Sequence, residues 1–307
     1  MHSDINQFRR NFYNNYHNYL IPILKSYEKE RVLKLVTAVT VSGILILLGV
    51  LLLIFTLKYS SKKDCRGGIS LIILGYAVYS IIKKNFENKI KERIMDSVTQ
   101  CFGNEMTWSQ HYLDHDIFED AGVISYYDSV DDDDVFCGKY HDVDISVVES
   151  EYERGSGKNR TTIFKGVIIK LKMYKTFRSH TMVCTDTLFH SSPIKGLNRT
   201  ELEDVEFEKK YDVFTNDPID ARVILTPVFM EKIKNIKMAF KCEKIKCVFY
   251  LNNLIIAMPT GTKDLFSIGS LVKPVADPKQ FEELLNQFVS ILALIDHLEL
   301  NKNLMPY

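Results

Sequence analysis

Residues 206–227 read EFEKKYDVFTNDPIDARVILTP. Asp217 before Pro218 is the pattern of a helix cap followed by the first helical position, and Thr226 before Pro227 repeats it nine residues later. Upstream, Phe207, Tyr211 and Val213 fit a segment entering or running along a sheet. Asp220 and Arg222 are two apart, so on a helix they do not face each other. The stretch therefore spells strand, helix, helix. Working outward, Phe229, Ile233, Ile236 and Phe240 repeat at helical spacing after the second cap. Asp277-Pro278 opens a last helix with Gln280 at capping-box spacing. Its apolar face is wide, with Phe281, Leu284, Leu285, Phe288, Ile291, Leu292, Ile295 and Leu298.

Between residues 104 and 275 turns and period-two runs dominate. Val143, Ile145 and Val147 alternate with Asp142, Asp144 and Ser146, which predicts a half-buried strand over 143–152, preceded by one over 135–140. The tip 153–162, ERGSGKNRTT, leads into a strand over 163–173. A further strand is expected at 181–188, and residues 247–251 and 254–258 flank Asn252-Asn253 as a hairpin turn. Residues 265–268 are a candidate edge strand, and 131–134 (DDDD) an acidic turn. A sheet with helices segregated from it is an α+β domain, mostly antiparallel.

Residues 35–57, LVTAVTVSGILILLGVLLLIFTL, hold no charge over 23 positions. At ~1.5 Å per residue they cover the ~30 Å hydrocarbon core of a bilayer. The run begins too far along the chain for a cleaved signal peptide. A second apolar run, 69–82, closes with Lys83 and Lys84, and extends to a span of about 66–83 if those lysines snorkel. Nine Lys/Arg flank the outer ends of the pair (Lys25, Lys29, Arg31, Lys34, Lys83, Lys84, Lys89, Lys91 and Arg93). Four lie in the connecting loop (Lys58, Lys62, Lys63 and Arg66). The positive-inside rule places both termini in the cytoplasm, where the sequons at Asn159 and Asn198 have no meaning. In residues 5–33, Phe8, Phe12, Tyr16, Tyr19 and Ile23 form one helical stripe, suited to a membrane surface or to packing on protein. Residues 83–101 read as a polar, exposed helix with a Glu87–Lys91 pair. The expected organisation is an amphipathic segment 1–34, a transmembrane hairpin 35–83, a helical linker 84–103 and a cytoplasmic α+β domain 104–307.

Net charge is zero over 307 residues, but residues 1–103 hold 15 Lys/Arg against 7 Asp/Glu (+8) and residues 104–307 hold 24 against 32 (−8). A basic segment beside apolar runs suits anionic headgroups, and an acidic domain argues against nucleic acid. The six cysteines form no CxxC pair and read as reduced thiols.

Chemistry-bearing motifs are weak. Residues 153–158, ERGSGK, lack phosphate-loop spacing and lie between two strands. His111 and His115, flanked by Asp114 and Asp116, have helical zinc spacing but neither an HExxH glutamate nor a third ligand, and read as a solvated helix edge. Residues 131–134 lack the spacing of a Ca²⁺ loop. Glu201, Glu203, Asp204, Glu206 and Glu208 form an acidic cluster that reads as an exposed face rather than paired catalytic carboxylates. No nucleophile elbow is present. Neither catalytic nor metal residues, nor a cofactor, can be assigned.

Phe207-Glu-Lys-Lys-Tyr-Asp-Val-Phe214, Asp217, Asp220-Ala-Arg222 and Leu225-Thr-Pro-Val-Phe229 resemble the bacterial domain of unknown function catalogued under number 3137. Phe136-Cys-Gly138, Glu149, Phe164-Lys-Gly166 and the hairpin at 248–256 are similar to it more loosely. The resemblance spans roughly residues 105–300 and implies a bacterial membrane-linked protein, with no accepted activity or site residues. The expectation is an inner-membrane protein whose cytoplasmic domain is a non-enzymatic protein- or ligand-binding module. Its partners would be the lipid bilayer and a protein partner or second copy, with no nucleic acid. The alternative is a membrane-anchored hydrolase with acids in a cleft near 201–222.

Overall fold

The computed structural model describes residues 2–59, 65–103, 105–141, 143–173, 176–185, 194–202, 204–261, 265–266 and 269–300. It divides into two compact units. One comprises Met1–Asn11, Phe102–Phe266 and Glu282–Tyr307, the other Phe12–Cys101 and Ser267–Phe281. The sequence positions Asp142, Glu203, Lys62, Lys63, 186–188 and 267–268 lie outside the described residues.

The first unit is built on nine strands. They are β1 (Thr107–Ser109), β2 (Ser129–Tyr140), β3 (Val143–Arg154), β4 (Thr161–Lys172), β5 (Thr181–Thr185), β6 (Asn198–Thr200), β7 (Tyr211–Thr215), β8 (Lys246–Tyr250) and β9 (Asn253–Pro259). Their order is β1-β2-β3-β4-β9-β8-β5-β7-β6, and every neighbouring pair is antiparallel. The fold is α+β, as the sequence pattern predicts.

Strand register carries one lateral row of side chains across seven strands: Phe136, Val147, Ile169, Ile256, Cys247, Val183 and Val213. None is more than 2% exposed. Helices cover this face. In α7 (Pro227–Ala239) Phe229 lies 5.2 Å from the Phe249 ring, and in α8 (Pro278–Leu300) Phe288 lies 5.4 Å from Phe136. The neighbouring row faces the other way: Val135, Val148, Ile168, Ala257, Lys246, Cys184 and Asp212. That face is covered by the segment around α4 (Asp116–Asp120), whose Phe118, Ala121, Val123 and Ile124 join Tyr152, Phe164, Met182, Val248 and Ile255 in one buried cluster. Burial on both faces is why β8 and β9 are nearly continuous apolar runs.

The caps at Asp217 and Thr226 form as read, and Asp204, expected on an exposed acidic face, is a further cap. α5 (Val205–Glu208) starts at Asp204, whose carboxylate accepts from the amides of Glu206 and Phe207. α6 (Pro218–Ile224) starts at Asp217, which accepts from Ile219 N (3.0 Å) and Asp220 N (3.2 Å). Thr226 caps α7 by accepting from Phe229 N at 3.2 Å. Such caps contribute ~1 kcal/mol each. Asp277 accepts from Lys279 N at 3.1 Å, but Gln280 Oε1 takes no bond in return, so the capping box at α8 is half formed.

Four local readings are corrected. Residues 131–134 are not a turn but part of β2, where a bulge at Asp133 places Asp132 opposite Ser150 and Asp134 opposite Glu149. The bulge turns Asp132 and Asp134 to opposite faces of the sheet, which strict alternation would forbid. The β8–β9 turn is Leu251-Asn252, with Asn253 already paired to Tyr250, because Leu251 takes the left-handed backbone (φ 52°) that a two-residue hairpin requires. Residues 265–266 form a bend rather than an edge strand. Residues 111–115 are not helical, so His111 and His115 share no helix face.

The second unit centres on two long helices. α1 (His2–Asn15), a π turn at Tyr16–Leu20 and α2 (Ile21–Tyr59) follow without a break, and α3 (Arg66–Phe102) returns. α2 has 39 residues and α3 has 37, about 58 Å and 55 Å at the helical rise, so both exceed a bilayer core. Each is long and apolar enough to cross a membrane, and its most apolar window is only 17% (α2) or 11% (α3) buried, unlike the core helix of a soluble protein. Val36, Ile44, Leu47, Leu51 and Phe55 on α2 and Ile69, Ile73 and Tyr76 on α3 face outward. The N-terminal stripe is only half as read. Phe12 and Tyr16 are buried, but Leu20 and Leu24 follow them while Tyr19 is 67% exposed. The wide π turn advances the buried face by one residue. Tyr16 packs on Phe281 at 5.0 Å, which corrects the membrane-surface alternative there to packing on protein.

Where the helices meet, side chains vanish. A Cβ on Gly49 would lie 2.8 Å from Gly68 O, and one on Gly75 would lie 2.8 Å from Ile46 Cγ1 and 3.0 Å from Ser42 O. Ser42 and Gly49 on one helix, and Gly68 and Gly75 on the other, repeat every seven residues and let the backbones touch. Lower down, residues 269–281 strap across the pair. Arg31, 8% exposed, donates to Leu271 O (2.8 Å) and to Glu28 Oε1 (2.7 Å). Glu28 also accepts from Val275 N (3.1 Å), and Glu87 accepts from Leu271 N (3.1 Å). The hydrogen bond from Arg31 holds the Glu28 carboxyl below its usual range. The expected polar surface at 83–101 is corrected accordingly: Phe86, Ile90, Lys91, Ile94 and Met95 are buried, and Glu87 serves the strap. Replacing Gly75 by Val forces the helices apart, and the expected loss is about 1–3 kcal/mol, read as a lower unfolding midpoint in detergent. An unchanged midpoint would refute the close seam.

Candidate functional site

The row Val135–Val148–Ile168–Ala257–Lys246–Cys184–Asp212 is aliphatic over its first four strands and polar over its last three. A cavity of about 420 Å³ opens at this change, within the roughly 300–1,000 Å³ range of small-molecule sites. Ile163, Phe164, Met182, Ile194 and Phe214 supply apolar wall. Lys246, Cys184, Thr185 and Asp212 supply the polar part, and Glu119 and Asp120 stand exposed at the rim.

Lys246 is 5% exposed. Its Nζ donates to Gly122 O (2.5 Å) and Val123 O (3.2 Å), while His180 Nε2 donates to Ala121 O (3.2 Å). Two side chains thus hold three consecutive carbonyls of the loop after α4. Gly122 makes the loop possible: its φ is +68°, and a Cβ there would lie 2.0 Å from Ile194 Cδ1. Burial pushes the Lys246 ammonium down to about 8 and lowers His180 as well. Asp212 is engaged by Arg199 at 2.7 Å, so the buried charge on the cavity wall is the lysine.

A second polar cluster lies on the same face of the sheet. His115 Nδ1 is 2.7 Å from Tyr152 Oη and its Nε2 is 3.1 Å from Asp132 Oδ2. Asp132 also accepts from Ser150 Oγ (2.6 Å) and Tyr112 N (2.8 Å). These bonds hold the Asp132 carboxyl below its usual range against the upward push of burial, and burial raises the Tyr152 phenol. The network fastens the segment before α4 to β2 and β3. On the opposite face Asp133, Asp134 and Glu149 bring carboxylate oxygens within 4.8 Å of one another. Three carboxylates are hard-cation donors by chemistry. The two buried ones also serve the scaffold: Asp134 accepts from Trp108 Nε1 (2.7 Å) and Glu149 from Leu265 N (3.2 Å).

Among the described residues, the acids near 201–222 do not converge. Glu201 and Glu206 are exposed, Glu208 accepts from Leu202 N, Asp204 and Asp217 are caps, and Asp220 accepts from Ser179 N (3.0 Å). Residues 155–160 form the tip between β3 and β4, shorter than the expected 153–162 because both strands run into it. Sequence reasoning missed Lys246 and the His115 cluster. The available signal for Lys246 was a charge at 246 with Val248 two residues on, in a run otherwise fit for a buried strand.

Residues 162–300 match the model of a family described as a protein of unknown function, DUF3137. This is the family that the stretch 207–229 resembles, and the match runs from β4 to the end of α8, taking in most of the cavity wall. Phe136-Cys-Gly138 and Glu149 lie before it. No curated protein matches the chain. Among solved structures, the mycobacterial trehalose monomycolate transport factor A, TtfA, is similar at a TM-score of 0.38 and 13% identity, over 66% of this chain and 94% of that one.

The sign of one pH effect follows from proton counting. Between about pH 8 and the ordinary lysine value of 10.5, the unfolded chain keeps a proton that folded Lys246 has lost, so raising pH through this window favours the folded state. Tyr152 and Cys247, both raised by burial, act oppositely but are common to wild type and a Lys246→Met variant. The stability of wild type relative to that variant should therefore climb from pH 8 to 10.5 in urea titrations. A flat difference would contradict a buried ammonium.

Proposed function

We propose that the protein is a non-enzymatic binding module anchored in a bacterial inner membrane by the α2–α3 hairpin, with both termini and the sheet unit in the cytoplasm. The module takes a small ligand in the cavity between the sheet and the α4 segment. The observation that carries this reading is the cavity itself, with an apolar wall at Ile163, Phe164, Met182, Ile194 and Phe214 and a polar one at Lys246, Cys184, Thr185 and Asp212. The hydrolase alternative needs converging acids, and the described ones near 201–222 cap helices, accept from backbone amides, pair with Arg199 or face solvent. The outward aliphatic faces of α2 and α3 and the basic residues at their ends support the anchor.

Two measurements test the reading. Reporter fusions in the 60–66 loop and at the C-terminus should report opposite sides of the membrane, and an external C-terminus would sink the topology. The neutral fluorescent probe N-phenyl-1-naphthylamine should bind the full chain in amphipol with blue-shifted emission. That binding should fall about tenfold when Ile163→Trp fills the cavity. Unaltered probe binding in the filled variant would remove the cavity as a ligand site.

A further inference from the structure

We propose that the sheet unit pairs with a second copy of this chain, the basic outer face of α7 on one copy meeting the acidic α4 of the next. The pairing goes beyond the cavity reading and stands whether or not the cavity takes a ligand, although Glu119 and Asp120 also stand at the cavity rim.

The two helices cover opposite faces of the sheet. Phe229 on α7 packs on Phe249, whereas Phe118 on α4 joins the buried cluster of Tyr152, Val248 and Ile255. Val248 and Phe249 are neighbours on β8, so their side chains point to opposite sides. Because α7 buries Phe229, Met230, Ile233 and Ile236, its period leaves Lys232, Lys234 and Lys237 along the margins of the outer face and Val228 and Met238 exposed on it. Glu231 is the one acid in that helix. α4 is the reverse. Asp116, Glu119 and Asp120 are exposed, the helix holds no basic residue, and Leu113 just before it is almost fully exposed. Among the described residues, the ion pairs of the sheet unit use other side chains than these six. Of the six, Lys237 meets an aromatic face, that of Tyr211 at 5.9 Å.

Patches of opposite charge on opposite faces of one molecule can meet only between molecules, and a second copy satisfies both at once. An anionic bilayer would attract α7 and repel α4. A single exposed ion pair contributes little, but three together, with Leu113 and Met238 as apolar anchors, make a small contact that salt weakens. Anchoring in one membrane, as proposed above, confines the copies to a plane and raises their effective concentration, which suits a weak contact. The contact joins unlike patches, so it is heterologous and runs on from copy to copy unless a ring closes.

The test mixes equal amounts of unlabelled and ¹⁵N-labelled full chain in zwitterionic liposomes and adds a carbodiimide, which joins carboxylates to amines in direct contact. Cross-links of mixed isotope should join peptides holding Asp116, Glu119 or Asp120 to peptides holding Lys232, Lys234 or Lys237. Their yield should fall about tenfold between low salt and ~0.5 M. A chain with Lys232→Glu, Lys234→Glu and Lys237→Glu should lose them, as should one with Asp116→Lys, Glu119→Lys and Asp120→Lys, and mixing the two reversed chains should restore them. The wild-type and salt arms need no variant. Absence of mixed-isotope cross-links between these peptides, or cross-links that survive both salt and reversal, would overturn the proposal. So would loss in both reversed chains without restoration in the mixture, provided each unfolds at the wild-type midpoint. Shielding of the three lysines from acetylation by added phosphatidylglycerol, without those cross-links, would give the face to lipid and overturn it as well. None of these outcomes touches the cavity reading, which naphthylamine binding tests separately.

Discussion

The sheet unit depends on one constraint: its central strands are buried on both faces, so each must be covered twice. The row from Phe136 to Val213 meets that demand with aliphatic and aromatic side chains under α7 and α8. The opposite row meets it only as far as Ala257. Beyond that point Lys246, Cys184 and Asp212 take the positions where apolar contacts would continue, and the loop at 121–123 is tied down by hydrogen bonds from Lys246 and His180 as well as by the packing of Ala121 and Val123. The cavity lies beside this loop, where the row changes from aliphatic to polar.

The helical unit solves a different problem. Residues 269–281 are tied to the helices by three charged side chains, Arg31, Glu28 and Glu87. A buried guanidinium satisfied by a carboxylate and two carbonyls is stable where a lone one is not, and removing a single member leaves the others desolvated. Truncation of Glu28 therefore exposes the unit to more than the loss of one ion pair.

How much was legible follows from how local each determinant is. The caps at Asp217, Thr226 and Asp277 are decided within three residues, and the sequence shows them directly. The central strands were legible through alternation, and the α7 and α8 faces through helical period. Failures came where a distant partner or one extra residue intervened. The bulge at Asp133 exists only in β2's pairing with β3, and it turned an apparent acidic turn into two buried carboxylates on opposite faces. The π turn at Tyr16–Leu20 replaced Tyr19 and Ile23 with Leu20 and Leu24 in the buried stripe. His115 looked solvated because its partners, Tyr152 and Asp132, lie 37 and 17 residues away. Lys246 looked unremarkable because only the strand order reveals that it stands in the middle of the sheet.

The glycine seam between α2 and α3 has a mechanical consequence. Gly49 and Gly68 meet backbone to backbone, and Gly75 meets the backbone of Ser42. Sliding one helix past the other by a single turn would bring Cβ-bearing residues such as Leu53 and Ile72 to these contacts, where no volume exists for them. Rotation about either axis meets the same obstacle. The pair thus resists both the piston stroke and the twist by which paired membrane helices convey signals. It is built as a peg, with the register of the two helices fixed by the absence of side chains at their contacts.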